Sequence, residues 1–210
     1  MLNVSEHFLE EVRVALAYVK ESARVILHTI LVQRSIGGQQ AVDVRTVWSE
    51  QLELAYCRLE DLELQDLVET KVKEFVDMFE KNQNQKRSGC LSLHFYTTKS
   101  KKASVWNLLL GQEEKIVFET WRIPLTLQNL RRYTHPEDEL LQEANLQRTA
   151  AQYVRLTVEE CVRKVMTSNM DHLPPPPQHL PVYRFEIAFD SGAPFSPRAF
   201  SQAIKIPYIS

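Results

Sequence analysis

Glycine is scarce in this chain, five in 210 residues. Folds that grip phosphate spend several glycines on one turn, and Gly37-Gly38 has the spacing of neither a P-loop nor a dinucleotide-binding turn. Cysteine is scarcer still: Cys57, Cys90 and Cys161 are odd in number and far apart, with no Cys-x-x-Cys pair. That argues against a disulfide framework or a zinc ribbon and for reduced thiols in the cytosol. No long apolar run is present. The most apolar window, Val25 to Val32, holds His28 and Thr29 and falls far short of the ~20 residues that cross a bilayer, so no transmembrane segment is expected. A secretory leader is not expected either, because no basic stretch precedes an apolar one near Met1. Charge of one sign is also missing: the formal net charge is -2. So balanced a chain has no general attraction to phosphate backbones, and nucleic acid is not an expected partner.

Catalytic patterns are equally thin. Cys90 and His94 suggest a nucleophile and its base, but on a strand they stand roughly 13 Å apart, beyond hydrogen-bond reach. His172 and His179 flank a proline run, and no Cys, His or carboxylate set has the spacing of a zinc site. Glu159 and Glu160 lie among Arg155, Arg163 and Lys164, an ordinary solvated helix face. His28, on a mostly buried helix, is expected to bond a neighbouring backbone or carboxylate group. The expectation is a protein without catalytic residues, cofactor or metal.

What the chain does have is a globular composition, 44% apolar and 25% charged, over a length that buries roughly 70% of the unfolded surface when folded as one unit. From Ser5 to Arg34 apolar residues recur at helical spacing (Phe8, Val12, Ala15, Val19, Ala23, Ile26, Ile30), leaving a narrow polar stripe at Arg13, Lys20, Arg24 and His28. This predicts a central helix ended by Gly37-Gly38. Leu52, Leu54 and Tyr56 alternate with polar residues and predict a strand over 51–59. A second helix runs to Lys81 on Leu64, Val68, Val72, Phe75 and Phe79. Leu91, Leu93 and Phe95 mark another strand. Along 115–127 the apolar positions change parity, from Ile116 and Phe118 to Trp121, Ile123 and Leu125, which predicts a bulge near Glu119 or Thr120. Thr134-His-Pro-Glu137 reads as a capping box opening a third helix to about Ser168. Pro174 to Pro177 form a stiff connector, and Tyr183, Phe185, Ile187 and Phe189 alternate in a last strand. The reading is an α+β fold, a central antiparallel-rich sheet with three long helices on one face. It is a single domain over 1–210, with a protruding hairpin loop at 99–111 and a proline-rich connector at 171–180.

Two features exceed what a core needs. Between Lys99 and Lys115 the hairpin loop sets Val105, Trp106, Leu108, Leu109 and Leu110 among charges. An exposed indole that buries ~200 Å² on a partner contributes up to roughly 5 kcal/mol before ordering costs, the scale of an interface hot spot. The third helix carries a second apolar stripe at Leu146, Tyr153 and Leu156. A rival use of the loop is peripheral membrane binding, with the lysines on anionic headgroups and Trp106 with Leu108 to Leu110 in the interface.

Val25 to Ser35, Leu91-Ser-Leu-His-Phe-Tyr96 and Glu119-Thr-Trp121 resemble the HORMA domain and, within that fold, the autophagy-related protein 101 family. The resemblance implies a non-enzymatic subunit of the autophagy-initiation kinase complex, cytoplasmic and recruited to the preautophagosomal structure. It implies pairing with, and stabilisation of, the HORMA domain of autophagy-related protein 13 through the third long helix, where Leu146, Tyr153 and Leu156 lie. It also places the family's Trp-Pro-Phe finger, which recruits downstream autophagy factors, at the hairpin loop: Trp106 matches, while Asn107 and Leu108 replace the proline and the phenylalanine. Some HORMA domains trap a peptide under a C-terminal belt. The short proline-rich tail after Phe189 implies an open, non-trapping state here.

Overall fold

The computed structural model describes residues 4–36, 42–81, 87–100, 113–128, 136–168, 170–177, 180 and 182–190. The expectations for Gly37-Gly38, the loop with Trp106 and Leu108, the Thr134-His135 cap and the tail from residue 191 lie outside them.

The chain runs β1 (Ser5–Phe8), β2 (Val12–Val14), α1 (Leu16–Ser35), β3 (Val44–Ser49), β4 (Leu54–Leu59), α2 (Leu62–Lys81), β5 (Ser88–Ser100), β6 (Glu113–Leu127), α3 (Pro136–Thr167), a 3-10 turn (Met170–His172) and β7 (Arg184–Asp190). The main sheet has the order β1-β6-β5-β7, with β2 also on β6. Strands β5 and β6 form the expected antiparallel hairpin, and β7 adds antiparallel to β5.

The bulge falls one residue from its predicted place. Phe95 pairs with Glu119 but Tyr96 pairs with Val117, so Phe118 is the extra residue. An added residue breaks the two-residue alternation of a strand. Phe118 and Glu119 are both buried, within a run from 118 to 125 that is buried on both faces of the strand. Phe118 packs edge-on against Tyr183 at 5.1 Å, and Glu119 shares the inner face with Trp121, Ile123 and Leu125.

The N-terminal reading is corrected. The segment before Leu16 is not helix but two short strands, both parallel to β6. Hydrogen bonding decides this, because β6 would otherwise present an unpaired edge beside buried Trp121 and Ile123. Val12 and Val14 alternate with exposed Arg13 at period two, and their spacing to Phe8 and Ala15 only imitates a helical stripe. The predicted strand at 51–59 is also shorter than expected: residues 51–53 form the turn of a β3–β4 hairpin. Glu53 takes positive φ there.

Helix α1 is the axis of the core. Val19, Ala23, Ile26, Leu27 and Ile30 are fully buried, and α2, α3 and β4 surround it. Arg24 on α1 donates from Nε and Nη2 to the two carboxylate oxygens of Glu69 on α2, and from Nη1 to Glu21. His28 departs from expectation: it is buried, stacked 6.0 Å from Tyr56, and its Nδ1 has no hydrogen-bond partner among the described residues.

Candidate functional site

Where β1, α1, β6 and the turn after α3 meet, the interior is polar. Glu119 is 0% exposed, placed inward by its strand parity with Trp121, Ile123 and Leu125 just after the bulge. Its two oxygens have separate company. Oε1 accepts hydrogen bonds from Arg34 Nε at 2.8 Å and from Trp121 Nε1. Oε2 lies 2.8 Å from His172 Nε2 and 3.9 Å from His7 Nε2. An ionised carboxylate only accepts, so His172 Nε2 donates its proton. His7 stacks on Trp121 with ring centroids 4.2 Å apart, and Arg34 lies over the same indole at 5.8 Å.

Electrostatics follow from this packing. Burial by itself would raise the Glu119 pKa. The hydrogen bond and charge of Arg34, helped by His172 and Trp121, outweigh it and hold the carboxyl below its usual range. For His7 the balance goes the other way: burial dominates the attraction of Glu119 and lowers its pKa to about 4. The cluster at neutral pH is thus one carboxylate, one guanidinium and an uncharged imidazole at His7. It joins four segments of the chain far apart in sequence.

Of the three thiols Cys57 is exposed and the other two are buried. Burial pushes the Cys90 thiol up to about 11 and the Cys161 thiol up to about 12, which favours the unreactive protonated form. His94 Nδ1 is within 2.9 Å of Thr120 Oγ1, across the strand pair.

The residues singled out on the third helix divide. Tyr153 is half-buried and packs against the core, and Leu146 is half-buried. Leu156 is 53% exposed. Leu140, Leu141 and Met166 on the same helix are exposed as well. At about 100° per residue, Leu141, Leu156 and Met166 fall within an arc of about 80° opposite the buried Ala150, Val154 and Cys161. Pattern reading missed Leu141 and Met166 because exposure depends on which stripe the core takes. It missed the polar cluster too, although one signal was present: Glu119 is the charged position in line with Trp121, Ile123 and Leu125, and a buried charge needs a partner.

Three helices laid on a mostly antiparallel sheet, with parallel N-terminal strands on its edge, define an α+β domain consistent with the HORMA-like type. The chain belongs to the autophagy-related protein 101 family, whose model matches residues 11–179. It is similar to autophagy-related protein 101 of Arabidopsis thaliana, 28% identical over 198 residues, covering 88% of this chain and 86% of that protein. Among the described residues no helix is long and apolar enough to cross a membrane.

Proposed function

We propose that the protein is a non-catalytic adaptor of the autophagy-initiation kinase complex. It pairs with the HORMA domain of autophagy-related protein 13 and offers Trp106 and Leu108 to downstream factors. In cells it is cytoplasmic and moves to the preautophagosomal structure. Family membership carries this reading. The exposed Leu141, Leu156 and Met166 support it, since an apolar stripe on the solvent side of a long helix is surface a partner helix can cover. Burial of Cys90 and Cys161, which keeps both thiols protonated, is in keeping with a non-catalytic role for these two residues.

Co-purification with the partner HORMA domain tests the pairing. Leu156→Asp is the variant of choice: the side chain is mostly in solvent, so the fold survives while a desolvated aspartate breaks the interface. Tyr153 is less suitable because it also packs against the core. The expected result is loss of the complex with an unchanged melting temperature, whereas intact co-purification overturns the assignment of this face. In the same assay Trp106→Ala leaves the pair intact and weakens recruitment of later factors. Pelleting of the isolated wild type, but not of Trp106→Ala, with anionic vesicles would assign the loop to membrane instead.

A further inference from the structure

The three groups around Oε2 of Glu119 form an arrangement that hydrogen bonding alone does not require. His7 comes from the first strand, Glu119 from the bulge of β6 and His172 from the turn after α3. Their ligand atoms all lie within 4.8 Å of one another, with His7 and Glu119 buried and His172 half-buried. We infer that His7, Glu119 and His172 form a binding site for a zinc-class divalent cation.

Geometry is the first support. Ligands around tetrahedral zinc, with bonds of about 2.0–2.1 Å, stand ~3.3 Å apart. Here the Oε2 to Nε2 distances are 2.8 Å to His172 and 3.9 Å to His7. These two values straddle the required one, and the three ligand atoms span no more than 4.8 Å, so the two imidazoles close by up to about 1.5 Å between them. Metal binding displaces the proton that His172 Nε2 donates to Oε2 in the metal-free site. The carboxylate is the second support, because its oxygens are already divided. Arg34 and Trp121 hold Oε1, while Oε2 faces both imidazoles, as in a monodentate ligand oriented by outer hydrogen bonds. Stacking on Trp121 fixes the ring plane of His7. His172, on a three-residue turn with its side chain 12% exposed, is the ligand nearest solvent and the one with most room to adjust.

Ligand chemistry selects the ion. Two imidazoles and one carboxylate suit zinc or its first-row neighbours, whereas calcium and magnesium call for a shell of oxygens. Three protein ligands leave a fourth position for water or hydroxide. Arg34 Nη2 is buried without a hydrogen-bond acceptor among the described residues. A water or hydroxide in that fourth position is an acceptor of the kind Nη2 lacks.

The test uses untagged full-length protein, stripped with chelator and then titrated with zinc by equilibrium dialysis and calorimetry. One zinc per chain is expected, together with a higher melting temperature at saturation. His172→Ala and His7→Gln each weaken binding by about tenfold or more, while His94→Gln binds as wild type does. No stoichiometric binding overturns the site, and so does equal binding by wild type and His172→Ala. Should either ligand variant fail to fold, cobalt on the wild type decides. The intense visible spectrum of a four-coordinate ion supports the site, and its absence refutes it.

Discussion

Replacing Glu119 with Gln isolates the charge of the buried cluster. Glutamine keeps the length of the side chain and an oxygen for Trp121 and Arg34, but it removes the negative charge. Arg34 is then left with its side chain 2% exposed and no counter-ion. Breaking a buried pair by removing one partner costs about 3–5 kcal/mol. For a chain of this size each kcal/mol moves the melting temperature by about 2–4 °C, so Glu119→Gln should lower it by about 6–20 °C. Urea unfolding in chelator-containing buffer, followed by circular dichroism, measures the loss. Adding Arg34→Met removes the stranded cation and should restore about half of the stability or more, a coupling that independent sites do not show. A loss below about 1 kcal/mol for Glu119→Gln, at unchanged denaturant slope, refutes the reasoning, because it means water reaches Arg34. So does a double variant as unstable as the sum of the singles.

Two further predictions concern the core. Burial, with the charge of Arg58, lowers the His28 pKa from 6.5 to about 4. The unfolded chain then binds the proton more readily than the folded one, so stability is level above pH ~6.5 and falls as the pH drops toward ~4. The loss attributable to this group reaches about 3 kcal/mol below that window. Urea midpoints between pH 7.5 and 4.5 should fall less steeply for His28→Leu than for wild type, and equal slopes would place the acid sensitivity elsewhere. Gly89 faces α2, where a Cβ would come within 2.9 Å of Phe75 Cε2 and Met78 Cε and 3.1 Å of Phe79 Cζ. The methionine can turn away, but the two phenylalanines are fully buried, so Gly89→Ala should cost about 1–3 kcal/mol in a urea melt. An unchanged midpoint would show that α2 shifts freely on the sheet.

Long, strongly patterned elements were legible from residue spacing. Helix α2 follows the Leu64, Val68, Val72, Phe75 and Phe79 repeat to Lys81. The β5–β6 hairpin follows from two alternating strands near in sequence, and the parity change along 115–127 marked the bulge to within a residue. The N-terminal strands were not legible. Seven residues in two short strands carry little periodicity, and a parallel partner more than a hundred residues away leaves no local trace. β3 escaped for a related reason: its side chains are mostly exposed, so apolar alternation is absent. On the third helix, spacing suggested a second stripe at Leu146, Tyr153 and Leu156, but packing partly commits Tyr153 to the core and leaves Leu156 on the solvent side with Leu141 and Met166.

The sequence by itself determined where backbone hydrogen bonds close locally, because helical and strand periods are written into the order of apolar residues. It also set the absence of glycine-rich turns and cysteine pairs, and it held the family resemblance. Only the tertiary structure decided that His7, Arg34, Glu119 and His172 meet. They come from segments up to 165 positions apart, and their encounter depends on strand register, one bulged residue and the path of the chain after α3. A buried charge is stable only beside its partner, and no spacing along the chain names that partner.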